Sequence, residues 1–354
     1  MTAPPPAEQS DLAQLYQDLA PTSLPLTRLD RYDGGGFGVS LSAFTPEDVS
    51  LIIQVYSAVK KMYDLWLYMS DAPNYDLLKT QMIAQCGSDH FIATAQSIGA
   101  ATYALGKTDP TLRKVIHDIR GGALAVLTGY ATMIKRLDPE VDDIPEYVRD
   151  AILMARDPAK LMRNVIVDLD PVVREADENV KVHFIDDFVD KWDGALFRIA
   201  DKTVRIGVNC SFDGSVTNRC LETSAIDRIL YNYISNAARF TTDQTVTMTI
   251  FPIENFVVRW VVENSVTSDQ QNWLNQATGG DLTKLFQGGL TRGGHGIGLS
   301  SCTDFVAASF GVTPTSALEQ HYLGAKLLGE RYYTWFHWPV YQPASTDPIC
   351  ECGA

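Results

Sequence analysis

Between residues 110 and 137 the apolar positions keep a regular beat. Leu112, Ile116, Ile119, Ala123, Val126, Tyr130, Met133 and Leu137 are separated by four and three residues in turn. A heptad seam of this length predicts a helix that packs lengthwise against others. An acidic, proline-bearing turn follows, "DPEVDDIP" (138–145). A second helical stretch then runs to about Asn179, with Ile152, Leu161, Val165, Leu169 and Val172 as its apolar positions and with Pro158 and Pro171 as expected breaks or kinks. Residues 110–180 therefore read as a helical hairpin. A hairpin exposing such a seam is expected to pair with a second copy as a dimeric four-helix bundle. Upstream, residues 45–109 read as a helical N-terminal region that carries input or extends the bundle. Its helices cover 45–70 and 75–106, broken by "SDAPN", with Pro46, Glu47 and Asp48 marking the first start.

After residue 181 the period changes to two. "TVRIGVNC" and "TVTMTIF" alternate, "FVVRWVVEN" is nearly continuous in apolar residues, and "YYTWFHWPVY" reads as a final strand. Helices are expected at about 222–240 and 297–310. The fold class is α+β, with a separate domain over 181–342. Residues 1–44, rich in Pro, Gly, Asp and Ser and containing the loop "YDGGGFGVS", read as a disordered leader, and 343–354 as a loose tail.

Composition narrows the function. The 354 residues include 43 acidic and 29 basic side chains, a net charge of −14. That balance argues against nucleic acid as a partner, since backbone binding needs cations. No apolar run reaches the ~18 residues of a membrane span. The nearest, "LIIQVYSAVKKMYDLWLYM", is broken by Lys60, Lys61 and Asp64. The start of the chain has no basic-then-apolar export pattern. With six scattered cysteines, including Cys350 and Cys352 in the tail, this points to a reducing cytoplasm.

Three stretches carry candidate chemistry. In the helix at 222–240, Asn232, Asn236 and Arg239 fall on one face at spacings of four and three. They read either as a solvated face or as an amide ligand for Mg²⁺ beside a guanidinium for phosphate. Glu263 ends an apolar strand, either facing water or accepting a hydrogen bond from the exocyclic amine of adenine. "LTRGGHGIGLSS" (290–301) is glycine-rich and opens an apolar helix. It serves as a bend or as a phosphate cradle at a helix N-terminus.

The order of these parts resembles the bacterial sensor histidine kinases, whose ATP-binding domain is similar to that of gyrase-type ATPases. "NYISNAARFT" looks like their asparagine box and "GHGIGL" like their second glycine box. The resemblance covers about 110–340. It implies an α/β-sandwich ATP-binding domain after a dimeric phosphoacceptor hairpin, and a homodimer that passes a phosphoryl group to an aspartate of a response-regulator receiver domain. ATP and Mg²⁺ are the implied cofactors. The resemblance assigns Mg²⁺ to Asn236, with Asn232 nearby, and phosphate contact to Arg239 and to the lid residues Gly294, Gly296, Gly298 and Leu299. Glu263 takes the place of the adenine-binding acid.

The phosphoacceptor falls in "VIHDIRGGALAVL" as His117, off the seam and expected to face outward. An imidazole of ordinary pKa ~6.5 is largely neutral and nucleophilic at pH 7. Asp118 beside it can hold one ring nitrogen and present the other. The chain departs from the family at three points. Glu263-Asn264-Ser265 replaces Asp-Asn-Gly, Gly121 and Gly122 stand where a proline usually bends the helix, and only Phe286 remains of the phenylalanine-bearing lid segment. The altered acid and lid motivate an alternative, a degenerate scaffold that docks signalling partners without catalysis. A serine kinase or ATPase of the same nucleotide fold is the third reading.

Overall fold

The computed structural model describes residues 38–69, 71–106, 109–138, 142–199, 202–253, 256–292 and 296–343, together with 15, 17–25, 28–29 and 32. Gly294 and the Cys350/Cys352 tail lie outside the described residues. No helix among them is long and apolar enough to cross a membrane.

The helical part begins with α1 (Pro46–Met69), α2 (Tyr75–Cys86), α3 (Asp89–Ser97) and α4 (Ala100–Ala104). The single helix expected over 75–106 is thus three. Ser88 caps α3 by accepting from the Phe91 N–H, and Gly99 enters α4 at φ +85°. Asp48 is buried near the start of α1, where its carboxylate accepts the N–H groups of Gly99 and Thr102 at 2.8 and 2.7 Å. A start signal for one helix therefore also anchors another.

The seam region is likewise divided, into α5 (Pro110–Arg120) and α6 (Gly122–Ile134). Gly121 is extended and Gly122 has φ +49°, a conformation that only glycine enters cheaply. α7 (Ile144–Val165) returns along α6. Pro158 lies inside α7 without ending it, and burial of Ala155, Ala159, Leu161 and Met162 around it offsets the lost backbone bond. The helix ends at Val165, well short of Asn179. α8 (Pro171–Asp177) restarts with Asp170 as its cap and proline in its first turn.

The bundle is completed within the chain. α1 lies against α7, and α2 against α6 and α7. Ile52, Val55, Val59 and Met62 of α1 and Leu78 and Met82 of α2 are buried with Leu124, Leu127, Ala131 and Ile134 of α6. Helices of the same chain thus cover this face of the hairpin. The seam also shifts after the glycine break, so Val126 and Met133 are only half-buried.

The second part is a layered α/β unit. β1 (His183–Phe184) pairs with β4 (Ser215–Thr217). Six strands form the main sheet: β2 (Leu196–Ile199), β3 (Lys202–Cys210), β5 (Thr245–Ile253), β6 (Val257–Ser265), β8 (Arg331–Pro339) and β7 (Leu323–Leu328), in that spatial order. β3 and β5 are parallel and the other pairs antiparallel. The four strands read from alternation are β3, β5, β6 and β8, the interior of the sheet. The edge strands β2 and β7 were not visible in the pattern. α9 (Asp186–Trp192), α10 (Cys220–Phe240), α11 (Ser268–Thr278), α12 (Gly298–Phe310) and α13 (Pro314–Glu319) complete the unit. Trp260 of β6 stacks on Phe336 of β8 and meets Phe188 of α9 edge-on, so this face of the sheet is the core face.

The described part of the expected leader is packed, which corrects that reading. Leu15 and Leu19 are buried against Val261, Tyr333 and Trp335 on the opposite face of the sheet. Arg28 bonds the Pro339 carbonyl at 3.0 Å and the buried Glu222 carboxylate. Two apolar residues four apart were enough to cover a face that the strand alternation leaves half apolar.

A buried ionic cluster ties the two parts together. Lys191 of α9 donates to Asp157 of α7 at 2.7 Å and to Asp227 of α10, and the Tyr231 hydroxyl donates to Asp157 at 2.7 Å. Burial pushes the Asp157 carboxyl up, but the charges of Lys191 and Arg156 and these hydrogen bonds outweigh it and hold it at about 2. The stabilisation is therefore present above the ordinary carboxyl value of 3.8 and lost as pH falls through about 2. Lys191→Met removes the cation shared by two buried carboxylates, leaving Asp157 to Arg156 at 3.6 Å and Asp227 to Lys160 at 3.9 Å, and is expected to cost about 3–5 kcal/mol in urea unfolding at pH 7. A change below about 1 kcal/mol would mean that the cluster does not join the two parts.

Candidate functional site

The apolar stripe of α10 (Ile226, Ile229, Leu230, Tyr233, Ile234, Ala237) is buried in the core. The helix therefore turns its polar stripe outward, and Asn232, Ser235, Asn236 and Arg239 line a cavity of about 440 Å³. The lid flanks this cavity. Gly288 and Gly289 have φ of +88° and +85°, and the Gly289 N–H donates to the Gly296 carbonyl at 3.0 Å, pinning the base of the loop. Leu290, Thr291, Arg292, Gly296, Ile297, Gly298 and Leu299 contribute to the wall. Phe286 has left the lid for the core, edge-on to Tyr233.

Gly298, the first residue of α12, is glycine for want of space. A Cβ there would lie 2.3 Å from Asn232 Oδ1 and 3.5 Å from His117 Cε1. The phosphoacceptor candidate, the amide helix and the lid thus meet at one point. His117 lines the same cavity, with a side chain 22% exposed, rather than facing open solvent. The glycine break is what allows this. It frees α5 from the line of α6, and α5 lies against α12, where Lys114 pairs with Asp304.

Asp118 is buried behind His117, and its Oδ1 lies 3.1 Å from His117 Nδ1. Its Oδ2 accepts from Arg228 Nε at 3.0 Å and from a second guanidinium nitrogen. Burial raises this carboxyl, yet the Arg228 charge and the bonds from His117 and Arg228 prevail and hold it below the ordinary range. Sequence reasoning missed Arg228. Its signal was its position four residues before Asn232, at the head of the same polar stripe.

Glu263 does not line the cavity. Alternate residues of a strand face opposite sides of the sheet. Glu263, paired in register with Tyr333, lies on the side covered by Leu15 and Leu19, with its carboxylate 3.4 Å from Arg331. Its neighbour Asn264 is the residue that reaches the cavity, among Val266, Leu274, Leu285 and Tyr332. The Asn264 amide donates to the Ser265 carbonyl at 3.0 Å. The cavity so has an apolar end that carries the amides of Asn264 and Gln270, and a polar end. Among the described lining residues are three arginines, Arg120, Arg239 and Arg292, and no carboxylate. In a chain of net charge −14 this is a local reversal of sign, and it suits an anion.

No family model matches the sequence, and no curated protein matches it. Solved structures to which the chain is similar include histidine kinases. Full-length ShkA in complex with AMPPNP is 18% identical, with a TM-score of 0.34 over 69% of this chain and 46% of ShkA. The chain thus spans less than half of ShkA's length. The histidine kinase domain of the Erythrobacter litoralis blue-light activated kinase EL346 is 12% identical, with a TM-score of 0.28 over 75% of this chain and 92% of that one. A histidine kinase from Burkholderia phymatum STM815 is 12% identical, with a TM-score of 0.29 over 66% of this chain and 100% of its own. All three TM-scores are under 0.5, so the chemistry is assigned from the cavity and its residues.

Gly298→Ala places a methyl in contact with His117 and must displace the Asn232 amide. The expected result is at least about a tenfold loss of affinity for a fluorescent adenine nucleotide, with the melting temperature nearly unchanged. Unchanged affinity would show that this junction is not part of the ligand site.

Proposed function

We propose that the chain is an ATP-dependent protein-histidine kinase that phosphorylates its own His117 and passes the phosphoryl group to an aspartate of a receiver domain. The observation that carries this reading is that His117 lines the same arginine-bearing cavity as Asn236 and Gly298, with no carboxylate among its described lining residues. The residues present fit a magnesium nucleotide. Gly298 lets the lid backbone close against Asn232 where a Cβ would not fit, the volume lies within the ~300–1,000 Å³ usual for ligand sites, and the apolar end offers Asn264 as the base contact. Asn236 would hold Mg²⁺ through its carbonyl, with Asn232 beside it, while Arg239, Gly296, Gly298 and Leu299 hold phosphates. Mg²⁺ supplies charge neutralisation of the phosphate oxygens.

In this reading His117 is the nucleophile. An ionised Asp118 requires the proton on Nδ1, which leaves the Nε2 lone pair to attack the γ-phosphorus. The Nε2–P bond forms, the bond to the bridging oxygen breaks, and ADP departs with that electron pair. Asp118 keeps hold of the Nδ1 proton and balances the charge of the phosphorylated ring. Because α1 and α2 cover the hairpin in the same chain that supplies the cavity, we infer that the reaction runs within one chain.

A second reading is the non-catalytic scaffold. The turning of Glu263 away from the cavity favours it, since an uncharged amide stands in place of the acid.

Incubation with γ-labelled ATP and Mg²⁺ separates the two. The expected label is acid-labile and base-stable, and is abolished in His117→Ala. Absence of both nucleotide binding and label establishes the scaffold, and an acid-stable label establishes a serine kinase. Asn264→Ala should weaken nucleotide binding by about tenfold, the loss of one buried polar contact, while Glu263→Gln leaves it unchanged. The reverse order would restore Glu263 as the base-reading residue. A mixture of His117→Ala and Asn236→Ala chains should stay unlabelled, and labelling of that mixture would show transfer between chains.

A further inference from the structure

Arg228 occupies a place that the reaction above does not use. Its side chain is buried between the two parts of the protein and does not reach the cavity wall. Three contacts fix it. The guanidinium grips Asp118 Oδ2 through two nitrogens, one of them Nε at 3.0 Å. It also lies 4.0 Å over the ring of Phe305 on α12. Its backbone carbonyl accepts the Nδ2 hydrogen of Asn232 at 2.8 Å, so that Asn232 Oδ1 is the atom turned toward Gly298. One residue of α10 therefore orients a carboxylate on α5 and an amide one helical turn further along its own helix. Phe305, on the helix that the lid opens, seats it.

Asp118 has two oxygens and two tasks. With Oδ2 held by Arg228, Oδ1 remains for His117 Nδ1 at 3.1 Å. A carboxylate left to itself in that position could rotate about its terminal torsion, which is soft in aspartate. It could also take up a proton, because burial disfavours its charged form. Either change would remove the acceptor that selects the Nδ1–H tautomer, and the Nε2 lone pair would no longer point into the cavity. A guanidinium fork holds a carboxylate by direction as well as by charge, which an ammonium does not.

We propose that Arg228 is a positioning residue for His117: by clamping the Asp118 carboxylate it sets the imidazole tautomer so that Nε2 faces the cavity. The role rests on the kinase reading for its use in catalysis, but the tautomer it sets is a property of the folded chain alone.

The test uses the full chain with nitrogen-15 histidine, and His117→Ala identifies the His117 signals. At neutral pH the wild-type ring is expected to carry its proton on Nδ1. In Arg228→Met that preference is lost and the Nε2–H form appears. Where Arg228→Met does not fold, Arg228→Lys replaces it, keeping the charge without the fork. The unchanged signals of the other histidines report that the fold is intact. In the labelling assay the rate constant at saturating ATP should fall by at least about tenfold while KM for ATP stays within about threefold, as expected for a residue that does not touch the nucleotide. A purely structural role would lower the folded fraction and leave the tautomer of the folded molecules as it was. An unchanged His117 tautomer in a folded variant overturns the proposal, as does a KM that rises with the rate constant unchanged. A folded, unlabelled wild type ends the kinase reading instead, and the tautomer measurement still decides this one.

Discussion

The two parts of the protein are joined by a carboxylate that cannot stand alone. Asp118 is removed from water, and an ionised acid in that position is strongly unfavourable unless its charge is met. The charge is met only when α5 lies on α10 and α12, where Arg228 waits with its guanidinium already seated on Phe305. Such a pair adds little net stability, because both ions lose their water. What it adds is specificity of place, since any slip of α5 would leave one or both charges buried without a partner. His117, next in the chain, inherits that placement, and so does the meeting of its ring with Gly298 and Asn232.

This docking would be impossible for a continuous helix. Had α5 and α6 formed one rod, His117 would be held along the bundle. The glycine pair at 121 and 122 separates the two demands, letting α6 serve the bundle while α5 serves the cavity. Within the chain, α1 and α2 supply apolar faces to the hairpin. The Lys191 cluster then joins α7 to α9 and α10 from the other side. Helical part and sheet are tied at two separate buried charge centres, and two attachments restrict rotation in a way that one cannot.

The cavity has its own electrostatic logic. The surface as a whole repels anions, yet the wall carries three arginines from three different segments: the end of α5, the end of α10 and the lid. At physiological salt, charges are screened beyond about 8 Å, so an entering anion responds to this wall rather than to the distant acidic surface. Because Arg120 lies on the same helix as His117, the cationic lining is complete only while α5 is docked. The cationic lining and the placement of His117 are therefore coupled through one helix.

How much of this could be read from residues alone follows from the range of the forces involved. Alternation and heptad spacing are local, and they located β3, β5, β6, β8, α10 and α12 nearly to the residue. The polar face of α10 and the His117–Asp118 pair are local too, since i, i+4 and i, i+1 relations need no fold. Four features needed distant parts of the chain. The seam does not reveal that its cover comes from α1 and α2, because apolar surface accepts any apolar partner. The heptad beat runs straight through Gly121, although the backbone there does not. Strand register decided that Asn264 and not Glu263 reaches the cavity, a one-residue difference that sends a side chain to the other face. The partner of Asp118 lies 110 residues away, and only the packing of α5 on α10 brings Arg228 to it. Local periodicity determined what the segments are; which faces meet, and so which charges are paired and which atom of His117 is presented, was decided by the tertiary structure because burial and desolvation act on surfaces and not on sequence neighbours.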